Sequence, residues 1–127
     1  MATPPTTSKM QVRWIVPPQA RTDCGESALE VSTRKIVELW LKDDRSSYIN
    51  YGGQNGIDNR YARIGRQVEE GKEIVMPVVG FDSDGSFGIT DGRHRIAWCR
   101  DNAIETIQVW APTEDHERLV LLAGPDR

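Results

Sequence analysis

The sequence predicts a small α/β protein, a mixed sheet flanked by helices, and three observations carry that reading. An alternating β-prone stretch runs from Gln11 to Val16, with Val12, Trp14 and Val16 on one side. Ile36, Val37, Trp40 and Leu41 then recur at helical spacing, and Ile74 to Val79 forms a nearly continuous apolar run. The 127 residues suit one domain over 10–127, behind a Thr/Pro/Ser-rich tail at 1–9 expected to be disordered. A chain of this size buries roughly two-thirds of its unfolded surface, enough to fold without disulfides or metal. The formal net charge of −3 excludes a wholesale electrostatic binder of nucleic acid and confines any such contact to a local basic patch.

The elements follow in order. Pro17-Pro18 ends the first strand, Gln19 to Ser27 reads as a loop, and Ala28 to Val31 as a short strand. Ser32 predicts an N-cap for a helix from Thr33 to Lys42 that faces Ile36, Val37, Trp40 and Leu41 to the core. Arg45 to Ile57 reads as a long irregular loop, of the kind that often carries function. Within it Tyr48 and Tyr51 either stack on a base or fold onto the surface. Asp58 predicts the cap of a helix over Asn59 to Glu70, ended by Gly71, with a narrow apolar stripe of Ile57, Tyr61, Ile64 and Val68. Arg60, Arg63 and Arg66 spiral along its flank, as a solvated face or as a basic wall beside a binding site.

Glu73 to Phe81 predicts one strand buried on both faces, with Pro77 where no ladder donor is needed. Asp82 to Gly85 reads as a hairpin turn and Ser86 to Thr90 as the returning strand. The helix from Arg93 should bury Ile96, Cys99 and Ala103, with His94 and Trp98 roughly opposite. Thr106 to Trp110 predicts a further buried strand, His116 to Leu122 a last helix, and Gly124 to Arg127 a fraying end. Cys24 and Cys99 form no CxxC, and His94 and His116 lie far apart, which disfavours a zinc cluster. With no signal-like or membrane-length apolar run, a cytoplasmic location without membrane insertion is the expectation.

The chemistry concentrates where a strand runs through Ile89-Thr90-Asp91-Gly92 into Arg93-His94-Arg95-Ile96-Ala97-Trp98. A helix start carries orphan N–H groups and the positive end of the macrodipole, so it attracts anions. Gly92 removes a Cβ where a ligand would approach, and Arg93 and Arg95 offer forks that match phosphate. Asp91 could cap the helix or hold a Mg²⁺ ion beside a polyphosphate. His94, neutral at the positive end of the helix, could act as a base. The site expected from the residues is therefore Gly92, Arg93, His94 and Arg95 for phosphate, with Asp91 and His94 as catalytic groups and Asp91 as metal ligand. Arg60, Arg63, Tyr48 and Tyr51 are the expected nucleic-acid contacts. The bland alternative is a cap, a turn and solvated arginines. A strand-helix-strand unit from Phe87 to Trp110 would put Asp91-Gly92 at the carboxyl end of its first strand, the edge that ligands favour.

Met76-Pro-Val-Val, the Asp82–Gly85 hairpin, the 89–98 segment and Ile107-Gln-Val together resemble the ParB/sulfiredoxin superfamily, mainly over 74–109. In that superfamily a hairpin leads into a Gly-x-x-Arg turn that opens a helix and cradles nucleotide phosphates. Arg93 stands where sulfiredoxins carry the catalytic cysteine, and Cys99 lies too deep in the helix to replace it, so sulfinic-acid reduction is not implied. Arg93 also replaces the Glu of the CTP-binding motif of partition proteins. The chain is more similar to the small plasmid fertility-inhibition (Osa-like) branch, through Tyr48-Ile-Asn-Tyr51-Gly-Gly, 57–61 and the 91–95 motif. That resemblance implies a ParB/sulfiredoxin-like fold, ATP or CTP with Mg²⁺ as cofactors, and ATPase or DNase activity. It further implies a block on conjugative transfer, with single-stranded DNA as a partner. The alternatives are a non-catalytic inhibitor docking on a conjugation or type IV secretion component, and a nucleotide-dependent switch.

Overall fold

The computed structural model describes residues 11–18, 25–52 and 59–126. Two sheets share one core. Strands β1 (Arg13–Ile15) and β3 (Glu73–Val75) pair in parallel as a two-stranded sheet. Strands β2 (Glu26–Ser32), β4 (Val78–Phe81), β5 (Phe87–Asp91) and β6 (Thr106–Pro112) form a mixed sheet in the order β2-β6-β4-β5. Its β2–β6 and β4–β5 pairs are antiparallel, and β4–β6 is parallel. The helices are α1 (Thr33–Asp43), the single turn α2 (Arg45–Ser47), α3 (Asn59–Glu69), α4 (Arg93–Asp101) and α5 (His116–Ala123). The mixed α/β architecture expected from the sequence is present.

Several local expectations hold for the reasons given. Ser32 caps α1, its Oγ accepting from the Lys35 amide at 3.2 Å. Ile64 and Val68 of α3 are buried, and Gly71 follows at φ 74°. Asp82 organises the β4–β5 turn by accepting from the Asp84 and Ser86 amides, both at 3.1 Å.

Other expectations are corrected. The run from Glu73 to Phe81 is two strands in two sheets, because Pro77 lacks the N–H to continue a ladder. Met76 N–H still donates to Ile15 O at 2.9 Å, whereas Pro77 O accepts from Trp110 N–H at 2.8 Å, so pairing changes partner at that peptide. The strand-helix-strand unit is not a parallel crossover either: β5 is an antiparallel edge strand, with β4 between it and β6. Asp91 therefore lies beside Val78 at the amino end of β4, and the carboxyl-edge argument does not apply.

The segment from Arg45 is helical through Gly52, α2 running into a π-helical turn at Tyr48–Gly52. Leu39 rather than Leu41 joins the core, because Leu41 falls beyond the buried arc of Leu39, Ile36, Trp40 and Val37. Trp98 is buried with Ile96, Ala97 and Cys99, since α4 packs between α1 and α3. Ala103 lies past the helix end and exposed, at φ 58°. The β2 strand is longer than expected, and Val16 is exposed beyond β1. The segment after α5 is tied down, Lys35 Nζ donating to Gly124 O at 3.1 Å and Asp126 Oδ1 at 2.8 Å. The expectations for 1–9, 19–24 (Cys24 included) and 53–58 lie outside the described residues.

Candidate functional site

Gly92 fixes the geometry of the turn between β5 and α4. It occupies the N-cap position at φ 99° and ψ 19°, a conformation open to glycine and costly for other residues. A Cβ there would lie 2.7 Å from both Cα and Cβ of Pro77, well inside van der Waals contact. The missing side chain thus serves the packing of the turn on Pro77. Pro77 consequently does two things: it ends β3 and seats the turn.

Asp91 does not cap α4, which has no side-chain cap bond at its N-cap. Its Oδ1 pairs with Arg95 Nη2 at 3.3 Å, one helical turn on. Arg95 is mostly covered, and its Nη1 donates to Val75 O at 2.7 Å and to Met76 O at 3.4 Å. Those carbonyls belong to the peptides where β3 gives way to β4, so Arg95 stitches the motif to the junction of the two sheets. Arg93 turns the other way, its Nε donating to Ser47 Oγ at 2.8 Å. Ser47 Oγ also accepts from Trp40 Nε1 at 3.2 Å.

These side chains line a cleft of about 520 Å³ formed by Arg63 and Ile64 of α3 with Asp91, Gly92, Arg93, His94 and Arg95. Among the described residues the cleft is lined by three arginines and one carboxylate, Asp91, which pairs with Arg95, and the amino end of the nine-residue α4 opens on the same space. The result is a concave surface with a local positive field on a chain of negative net charge. A larger cavity of about 720 Å³ lies at the amino end of α1, where Arg34 and Arg100 mix with Glu38, Glu105 and Asp126. That balance gives it no comparable attraction for an anion.

The structure therefore brings Arg63 together with the 91–95 motif, and places Tyr48 elsewhere. The Tyr48 ring packs edge-on against Trp40, with centroids 5.3 Å apart, and its hydroxyl accepts from Arg100 Nη1 at 3.0 Å. Stacking on a base would require it to leave that packing. The side chains of Tyr51 and Arg60 lie outside the described residues. Asp91 alone makes a poor cation site: it is half exposed and paired to Arg95, and among the described residues no three His, Cys, Asp or Glu side chains stand together. Burial pushes the Cys99 thiol up to about 12, which keeps it protonated and inert, a packed core group as expected.

Sequence reasoning missed Ser47 and the role of Pro77. Ser47 bonds Arg93 across 46 residues, and no local pattern announces such a pair. The Met76-Pro77 dipeptide did carry a signal, since a proline inside an apolar run argues for a break.

No protein-family model matches the sequence, and no curated protein matches it. The fold is similar to the crystal structure of the oncogenic suppression activity protein, a plasmid fertility inhibition factor, solved as a gold(I) cyanide derivative. The TM-score is 0.57 at 15% identity, covering 79% of this chain and 57% of that one. The chain thus spans little more than half the length of that protein, and what the two share is the fold.

Proposed function

We propose that the cleft between α3 and the 91–95 motif binds the phosphates of a nucleotide or of single-stranded DNA. We propose further that the chain is an inhibitory factor of plasmid transfer within the ParB/sulfiredoxin superfamily. The observation that carries the first reading is the convergence of Arg63, Arg93 and Arg95 with the amino end of α4 on one concave surface. The fold likeness to a fertility inhibition factor supports the second. Each arginine meeting a phosphate contributes a charge-assisted bond of about 1.5–3 kcal/mol, or roughly ten- to a hundred-fold in affinity.

Calorimetric titration with ATP, CTP and a single-stranded oligonucleotide tests the first reading, and a mating assay with the same variants tests the second. Arg63→Ala with Arg93→Ala should lose both binding and inhibition. A double variant that inhibits mating like the wild type would move the inhibitory surface away from this cleft, towards docking on a conjugation or type IV secretion component. Hydrolysis of the bound phosphoester is a second reading, favoured by His94 lining the same cleft. It requires phosphate release that His94→Ala abolishes while binding is kept. Binding without turnover would identify a nucleotide-dependent switch.

A further inference from the structure

A serine hydroxyl accepts two hydrogen bonds and donates one. At Ser47 both acceptor positions are taken, by Trp40 Nε1 at 3.2 Å and by Arg93 Nε at 2.8 Å. Trp40 is fully buried, so the oxygen is anchored to the core rather than to a mobile surface group. The next residue, Tyr48, locks the same turn from the other side through its edge contact with Trp40 and its bond from Arg100. A guanidinium can meet a phosphate through its Nε–Nη side or through its paired η nitrogens. At Arg93 the ε N–H is committed to Ser47.

We propose that Ser47 is a positioning residue for Arg93, holding the guanidinium by its ε N–H at the cleft in which the phosphate binds. The inference rests on the phosphate-binding reading of the cleft and adds a residue that lies outside it. It also makes Trp40 a reporter: a ligand that draws on Arg93 alters the bond Arg93 makes to Ser47, and through the shared oxygen the bond made by the Trp40 indole N–H.

Titration of the protein with inorganic tripolyphosphate, followed by amide and indole N–H resonances, tests this. In the wild type the Trp40 indole signal should move with the same midpoint as the amides of Arg93 to Arg95. Ser47→Ala should weaken binding by about two- to tenfold, the cost of ordering one released long side chain on binding. Ser47→Thr, which keeps the hydroxyl, should restore it. Arg93→Lys keeps the charge, lacks the ε N–H, and should leave the Trp40 signal indifferent to ligand even if Ser47→Ala folds poorly. Equal affinity in folded Ser47→Ala, or a Trp40 response that persists in Arg93→Lys, overturns the role of Ser47 and leaves the cleft reading standing. Absence of any tripolyphosphate response in the wild type removes the cleft reading and the inference together.

Discussion

Replacing Gly92 with alanine separates two explanations for the glycine at this turn. If the bare Cα served only the approach of a ligand, Gly92→Ala would fold normally and bind poorly. The structure gives the opposite order of effects. At φ 99° an alanine pays about 1–2 kcal/mol for a left-handed conformation. Its Cβ, 2.7 Å from Pro77 Cα, adds an overlap worth about 1–3 kcal/mol after relaxation. The combined loss of about 2–5 kcal/mol is a large part of the total of about 6–19 kcal/mol expected for a domain of this size. Urea denaturation followed by far-ultraviolet circular dichroism should show the midpoint falling by about 1–2 M with an unchanged slope. Pro77→Ala should not rescue the variant, because the two nearest atoms, Cα and Cβ, remain in alanine. A midpoint within about 0.3 M of the wild type, on the same denaturation scale, would refute the packing account of Gly92.

Other substitutions probe neighbouring parts of the argument. Thr33 Oγ1 is buried without a hydrogen-bond partner among the described residues, so Thr33→Val should stabilise by about 1 kcal/mol and raise Tm by about 4 °C; a loss of stability would mean that the hydroxyl has a partner. Gly65→Ala would place a Cβ 2.9 Å from Trp98 Nε1, and should cost about 1–3 kcal/mol by forcing α3 away from α4, seen as a lower thermal midpoint. Arg95→Ala should lower stability as well as phosphate affinity, because it takes a donor from the Val75 and Met76 carbonyls, seen as a lower thermal midpoint together with weaker binding. The Cys99 thiol, held to about 12 in the folded state against 9.0 when unperturbed, keeps its proton where the unfolded chain releases it. Stability should therefore fall between about pH 9 and 12 more steeply in the wild type than in Cys99→Ala, measured as urea midpoints in a Cys24→Ser background.

Much of the fold was legible because local signals agreed with tertiary demand. Ser32 before an apolar-periodic stretch specified α1, and the Asp82–Gly85 turn specified the β4–β5 hairpin. The failures have physical causes. Periodicity cannot tell an unbroken buried strand from two strands that change sheets at a proline, and Pro77 decided that case. Nor can it count how many neighbours a helix has, and α4 buries four consecutive residues because α1 and α3 press on it from two sides. At the site, the 91–95 motif was visible as an arginine-flanked helix start. Its division of labour was not: Arg95 braces the sheet junction, Asp91 pairs with Arg95, and Arg93 is held by Ser47. Ser47 comes from α2, and Val75 and Met76 from the end of β3 and the residue after it, and only the folded chain brings these three within reach of the motif.

The measurement that reaches the central claim most directly is a backbone amide shift map of the wild-type protein on titration with ATP and with inorganic tripolyphosphate. The account predicts that the largest perturbations fall on Arg93, His94 and Arg95, with Arg63 responding across the cleft, and that added salt weakens the effect. Perturbations centred instead on the α1 cavity around Arg34 and Thr106, or no saturable response to either ligand, would contradict it.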